Sequence, residues 1–251
     1  MEDRYARYGA ATGIAFVVLM VVSFIVMPTP PDLDSPVGDW ASYYAEDQDA
    51  INTALVLVSV ALFFFVWFLG TLVSALRVAS GSPRLPTIAF GGGLLAAAAF
   101  FVGIILAAIA AHRPTEVTPE LTRALNDGFV LSAVPAIAGL FALFSASALA
   151  ILRADILPQW VGWLAGVVAL LQPLTFGALY TDSGAFAGDG ELALAVPFIG
   201  GLAAILALSI VLIQVVDDLN REVGLTDRVR GAVTGAASGA AAGAQGRPPA
   251  S

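Results

Sequence analysis

The chain has 251 residues, of which 59% are hydrophobic and only 12% charged, with a formal net charge of −8 and a mean hydropathy of +0.88. A soluble domain carries about a quarter charged residues, so this composition excludes an ordinary soluble globule. Cysteine and lysine are both missing, which removes disulfides, thiolate sites and lysine Schiff bases, and the single histidine, His112, cannot supply a bis-histidine haem.

Six apolar stretches run over residues 10–27, 52–76, 87–111, 129–152, 160–180 and 192–216. A helix needs about 20 apolar residues to cross a bilayer core, and each stretch is near that length or longer. They predict an all-α fold: a polytopic transmembrane bundle of six helices forming one domain over residues 1–216. The first stretch follows a formally neutral segment, in which Glu2 and Asp3 offset Arg4 and Arg7. It is succeeded by Met27-Pro28-Thr29-Pro30-Pro31, with no small-x-small cleavage site. It is therefore expected to be a retained span and not a cleaved signal.

Between the first two stretches, Ser35-Pro36 reads as an N-cap followed by a first helical residue. Val37, Trp40 and Tyr44 then share one helical face. A helix over residues 36–46 is predicted to lie along the outer interface, as an anchor or a lid. Stretches two to five resemble a duplicated hairpin. Asn52 and Asn126 mark the outer starts, Arg77 and Arg153 the inner ends, and Leu85-Pro86 and Leu157-Pro158 the returns.

Gly9 and Gly13, the run Gly91-Gly92-Gly93, and Gly162 and Gly166 give small-residue faces suited to close helix packing. Pro135 and Pro173 are expected to kink their spans, because proline removes a donor and clashes with the preceding turn. Gln172 is placed to satisfy a carbonyl freed by Pro173. Pro197 lies near the start of the last stretch and is expected to have no consequence. Residues 217–251 turn polar and then Gly/Ala-rich, and predict a flexible cytoplasmic tail.

Orientation follows from arginine. With both termini in the cytoplasm, nine of the 11 basic residues lie inside and only Arg113 and Arg123 outside. This matches the positive-inside rule and predicts an N-in, C-in protein of a plasma membrane. Twelve of the 19 carboxylates then face outward, which makes the negative charge a property of the outer surface.

No ionisable residue lies mid-span, where such groups usually mark ion or proton paths. No catalytic set, metal site or cofactor is expected. The nearest approach to a site is a group of polar residues at outer span ends: Asn52, His112, Asn126, Asp127, Tyr180 and Asp182. In a bundle these are expected to line one outward-facing vestibule. The expected function is non-enzymatic, with membrane lipids, a second copy or another membrane protein as partners and no nucleic acid. A binding protein or transporter for an uncharged small molecule or lipid is the alternative, followed by an enzyme at the outer interface.

Two segments carry a family likeness: Ser35-Pro36-Val37-Gly38-Asp39-Trp40-Ala41-Ser42-Tyr43-Tyr44, and Leu157-Pro158-Gln159-Trp160-Val161-Gly162-Trp163. With the six-stretch layout, the chain resembles a family of six-span membrane proteins of unknown function common in high-GC bacteria. The resemblance covers most of residues 10–216. It implies the membrane fold and brings no activity or site residues.

Overall fold

The computed structural model describes residues 2–80, 82–154, 157–181, 184–186 and 191–215, with side chains from Arg7 onward other than Glu191. Among them all regular structure is helical. In chain order the helices are α1 (Glu2–Val26), α2 (Val37–Glu46), α3 (Gln48–Ser80), α4 (Arg84–His112), α5 (Pro119–Leu131), α6 (Ala133–Leu152) and α7 (Gln159–Leu171). A 3₁₀ segment, Gln172–Leu179, continues α7, and a π-turn, Glu191–Ala195, leads into α8 over residues 196–215. The predicted tail, residues 217–251, lies outside the described residues.

Six segments are long and apolar enough to cross a membrane: Arg7–Val26, Gln48–Ser80, Arg84–His112, Pro119–Leu152, Gln159–Leu179 and Leu192–Val215. They coincide with the six predicted stretches, and the first four run longer, because helical hydrogen bonding continues past the apolar residues. The 33 residues of α3 rise about 50 Å at 1.5 Å per residue, beyond the ~30 Å of a hydrocarbon core. Only 39–44% of each apolar window is buried inside the protein. The rest faces outward through side chains such as Phe63, Trp67, Leu95, Ile105 and Leu170.

Chain neighbours pack as α1 on α3, α3 on α4, α4 on α6 and α6 on α7. The glycines explain how close they come. A Cβ on Gly92 would sit 2.6 Å from the Gly139 carbonyl oxygen, and one on Gly139 would sit 2.5 Å from that of Gly92. The α4 and α6 backbones therefore touch directly. On α1, a Cβ at Gly9 would strike Thr71 of α3, and one at Gly13 would strike Ser209 of α8. Both small-residue positions of α1 thus serve packing within the chain. Gly91 faces open space, so only part of the predicted glycine run is used in this way. Where the surroundings are as apolar as the helices, such close contact replaces the hydrophobic drive to associate.

Three prolines shape the remaining segments. Pro135 was expected to kink a continuous span. Instead the helix is interrupted at Ser132, and Pro135 occupies the first turn of α6, where a missing N–H costs nothing. The segment before the break is helical back to Pro119, so this span begins ten residues earlier than the predicted 129. Ser132 holds the junction: its N–H donates to Gly128 and Phe129 carbonyls, and its Oγ donates to the Phe129 oxygen at 2.6 Å. At Pro173 the chain changes from α to 3₁₀ geometry. The Gln172 N–H turns back to the Ala169 carbonyl, while its side-chain Nε2 donates to the Val168 oxygen at 3.4 Å. The carbonyl four residues before Pro173 is thus taken by the Gln172 backbone N–H, and the side chain meets the carbonyl one residue earlier.

The second donor contact of Gln172 was not anticipated: Nε2 also reaches the Pro197 oxygen in α8 at 3.3 Å. Pro197 itself is not without consequence. Lacking an N–H, it frees the Ala193 carbonyl one turn back. The buried Thr175 hydroxyl donates to that oxygen. The two proline-disturbed segments therefore complete each other's hydrogen bonding.

Candidate functional site

The polar residues singled out in the sequence cluster at the end of the bundle that carries α2. This short helix is docked by its aromatic face: Trp40, Tyr43 and Tyr44 are all buried. The spacing of Val37, Trp40 and Tyr44 predicted the helix. It did not predict that the aromatics pack inward against α5 instead of lying in an interface. The Tyr44 hydroxyl donates to Asn126 Oδ1 of α5 at 3.1 Å, and Tyr43 donates to the Pro28 oxygen at 3.2 Å. Immediately after α2, Gln48 Nε2 donates to the Ala111 oxygen at 2.8 Å and to that of His112 at 3.2 Å. It thereby satisfies carbonyls left open at the C-terminal end of α4. Thr118 caps α5 by accepting from the Leu121 N–H, with Pro119 following it.

The six expected vestibule residues are distributed as follows. Asn126 is buried and committed to Tyr44. Asp127, its neighbour, is half-buried and lines a cleft of about 420 Å³ together with Asp34, Arg123 and Thr181. His112 is exposed and lies in a different crevice, beside Arg113 and Glu116. Tyr180 is 87% exposed and lines neither. Asn52 is half-buried near the start of α3 and also borders neither. Asp182 lies outside the described residues. The five described residues share one end of the protein without converging on one cavity. Among the described residues, no three of His, Cys, Asp and Glu gather as a metal site would require.

The 420 Å³ cleft is organised by a residue that sequence reasoning did not single out. Arg123 donates from Nη2 to the Leu33 oxygen at 2.9 Å and from Nη1 to the Ser35 oxygen at 3.4 Å. One guanidinium thus ties the α1–α2 loop to α5. The sequence signal was present, since Arg123 is one of only two basic residues among 12 acids on the predicted outer side. A lysine cannot reproduce a planar two-pronged contact. Arg123→Lys and Arg123→Met are therefore both expected to speed protease cleavage within residues 28–36. Cleavage at the wild-type rate would contradict this anchoring role. By contrast, the Arg113–Glu116 pair at 3.3 Å is exposed on both sides and contributes little.

Burial raises both docked tyrosines. The Tyr43 phenol is pushed up from 10.0 to about 12, by desolvation first and the nearby Asp47 carboxylate second. Tyr44 is shifted in the same direction by burial and by Tyr43. The folded state holds these protons more tightly than the unfolded chain, so the contribution is complete below pH 10.0 and is lost as pH rises through about 12. Docking of α2 should be indifferent to pH across the neutral range and fail only in strong alkali. A tyrosinate absorbance titration should show Tyr43 and Tyr44 ionising late, together with loss of α2 protection. Ionisation of both near pH 10.0 would contradict the docked geometry.

Two buried donors at this end, Trp40 Nε1 and Asn126 Nδ2, have no hydrogen-bond partner among the described residues. No family model, curated protein or solved structure matches the chain.

Proposed function

We propose that this chain is an integral membrane protein with six spans and both termini in the cytoplasm, set in a bacterial plasma membrane. On this reading it acts without enzymatic chemistry, through contact with membrane lipids and with a second copy or another membrane protein. One observation carries the reading. Each long helix buries less than half of its apolar window, and large side chains such as Phe63, Trp67, Ile105 and Leu170 point away from the protein. An exterior this apolar requires hydrocarbon as its solvent. Arginine placement supports the orientation.

The family likeness in Ser35–Tyr44 and Leu157–Trp163 belongs with this proposal. The α2 end, with its helix pinned by Trp40, Tyr43 and Tyr44, is the polar face offered to partners outside.

Crosslinking in intact membranes, followed by native mass spectrometry of gently extracted protein, tests the function. The expected outcome is a defined oligomer or partner complex carrying lipid. A lipid-free monomer that crosslinks to nothing would overturn it. A second reading, a binding protein or transporter for an uncharged small molecule or lipid, is favoured by the 420 Å³ cleft at the α2 end.

A further inference from the structure

We propose that the 420 Å³ cleft at the α2 end binds a phosphoethanolamine zwitterion, carried as the headgroup of a membrane lipid. The assignment rests on the reading of the six segments as spans. The volume falls within the ~300–1,000 Å³ typical of small-molecule sites.

The first support is charge brought together without being neutralised. Arg123, Asp34 and Asp127 all line the cleft. The Arg123 guanidinium donates to two neutral carbonyls, those of Leu33 and Ser35. Neither Arg123 nor Asp34 forms an ion pair among the described residues. The guanidinium keeps its positive charge and its remaining N–H donors for an anionic oxygen such as that of a phosphate.

The second is how the opposite charge is held. The two carbonyls that Arg123 grips flank Asp34, so one guanidinium fixes the backbone of the carboxylate beside it. A cation and an anion are thereby kept apart at a set spacing, as are the phosphate and the amine of the zwitterion. A purely anionic headgroup would meet two carboxylates on the same wall, and a purely cationic one would meet Arg123.

The third is the order of polarity. Along α5 the charged Arg123 and Asp127 come first, and Val130 and Leu131 follow about one turn deeper. Leu131 and Leu179, both on the wall, are exposed. A lipid at the interface has the same order, with its charged group outermost and its carbon chains behind. A primary ammonium donates hydrogen bonds to a carboxylate, which a trimethylated amine cannot do, so phosphatidylethanolamine fits better than phosphatidylcholine.

The test places the full-length protein in lipid nanodiscs holding equal parts of phosphatidylethanolamine, phosphatidylcholine and phosphatidylglycerol with identical acyl chains. Native mass spectrometry then reads which lipids stay bound as the disc is stripped. Phosphatidylethanolamine should be retained over either other lipid by about tenfold, the low end for a hydrogen bond to a charged group. Asp34→Asn, an exposed position, should abolish the preference, and Asp34→Glu should keep most of it. Asp39→Asn, which removes an exposed carboxylate of α2 outside the cleft, should leave it unchanged.

Equal retention of the three lipids, or a preference for phosphatidylglycerol, would overturn the headgroup site and leave the membrane reading standing. Retention of no lipid would overturn the membrane reading itself. A preference that survives Asp34→Asn, or that falls equally in Asp39→Asn, would also overturn the site, the latter by tracing it to general surface charge. Soluble O-phosphoethanolamine, added at a concentration matching the lipid, should displace little of it. Full displacement would make the ligand a free solute and overturn the lipid assignment.

Discussion

Gly139→Val is expected to abolish most folded protein, whereas Gly91→Ala should be neutral or slightly stabilising. The difference lies in what each new side chain meets. At Gly139 a Cβ falls 2.5 Å from the Gly92 oxygen and 2.6 Å from the Ala96 N. Both are backbone atoms of α4, which no rotamer change can move aside. Accommodating valine means separating α4 from α6 along their whole contact, the most extensive among helices α1 to α7.

Overpacking a well-filled core costs ~1–3 kcal/mol, occasionally more. This site belongs at or beyond the upper end because the obstacle is backbone. Proteins have only ~5–15 kcal/mol of stability to lose. At Gly91, on α4, a Cβ meets nothing within 4 Å, and alanine is a better helix former by up to ~1 kcal/mol. Thermal melts in detergent, with the monodisperse fraction read by size exclusion, should separate the two variants widely. Similar melts for both would contradict the backbone contact.

Trp40→Ala should undock α2. The indole is 1% exposed and packs edge-on to Tyr43 with ring centroids 6.1 Å apart. Truncating such a side chain costs ~3–5 kcal/mol. Trp40→Phe should cost much less, although it too removes a large group. It keeps an aromatic ring at the contact, and the Nε1 donor that it deletes has no partner, so no hydrogen bond is broken. Hydrogen exchange over Val37–Glu46 distinguishes the variants: protection should collapse in the alanine variant and largely survive in the phenylalanine one. Equal loss in both would show that the indole nitrogen matters, contrary to the geometry.

The six long helices could be read from sequence because twenty-residue apolar runs leave few alternatives. The short helix was equally legible from the recurrence of Val37, Trp40 and Tyr44, but its start was not: Pro36 and not Ser35 takes the N-cap position, with no side-chain cap hydrogen bond, and the helix begins at Val37. Its burial was not, because that depends on the partner. The partner is the polar first half of a span, Pro119–Leu131, in which Glu120, Arg123 and Asp127 hid the helix from a hydropathy reading. The Thr118-Pro119 start signal was there to be weighed.

Proline effects were foreseen in kind and not in form. Pro135 marks a break, and Pro173 marks a change to 3₁₀ geometry. Pro197, read as idle, leaves a carbonyl that Thr175 fills from another segment. Such cross-chain completion is a tertiary event with no local signature. For the same reason, six polar residues at span ends could be named but not assembled. Asn126 turned out to serve α2, while His112 and Asp127 lie in separate crevices.

The absence of cysteine makes the most direct measurement simple: labelling of single introduced cysteines in intact cells with a membrane-impermeant maleimide. Ser42, exposed on α2, and Ser80, at the far end of α3, should lie on opposite sides of the bilayer. A cysteine at Ser42 should label from outside, and one at Ser80 only after permeabilisation. External labelling of both, or the reverse pattern, would contradict the proposed six-span, N-in and C-in arrangement.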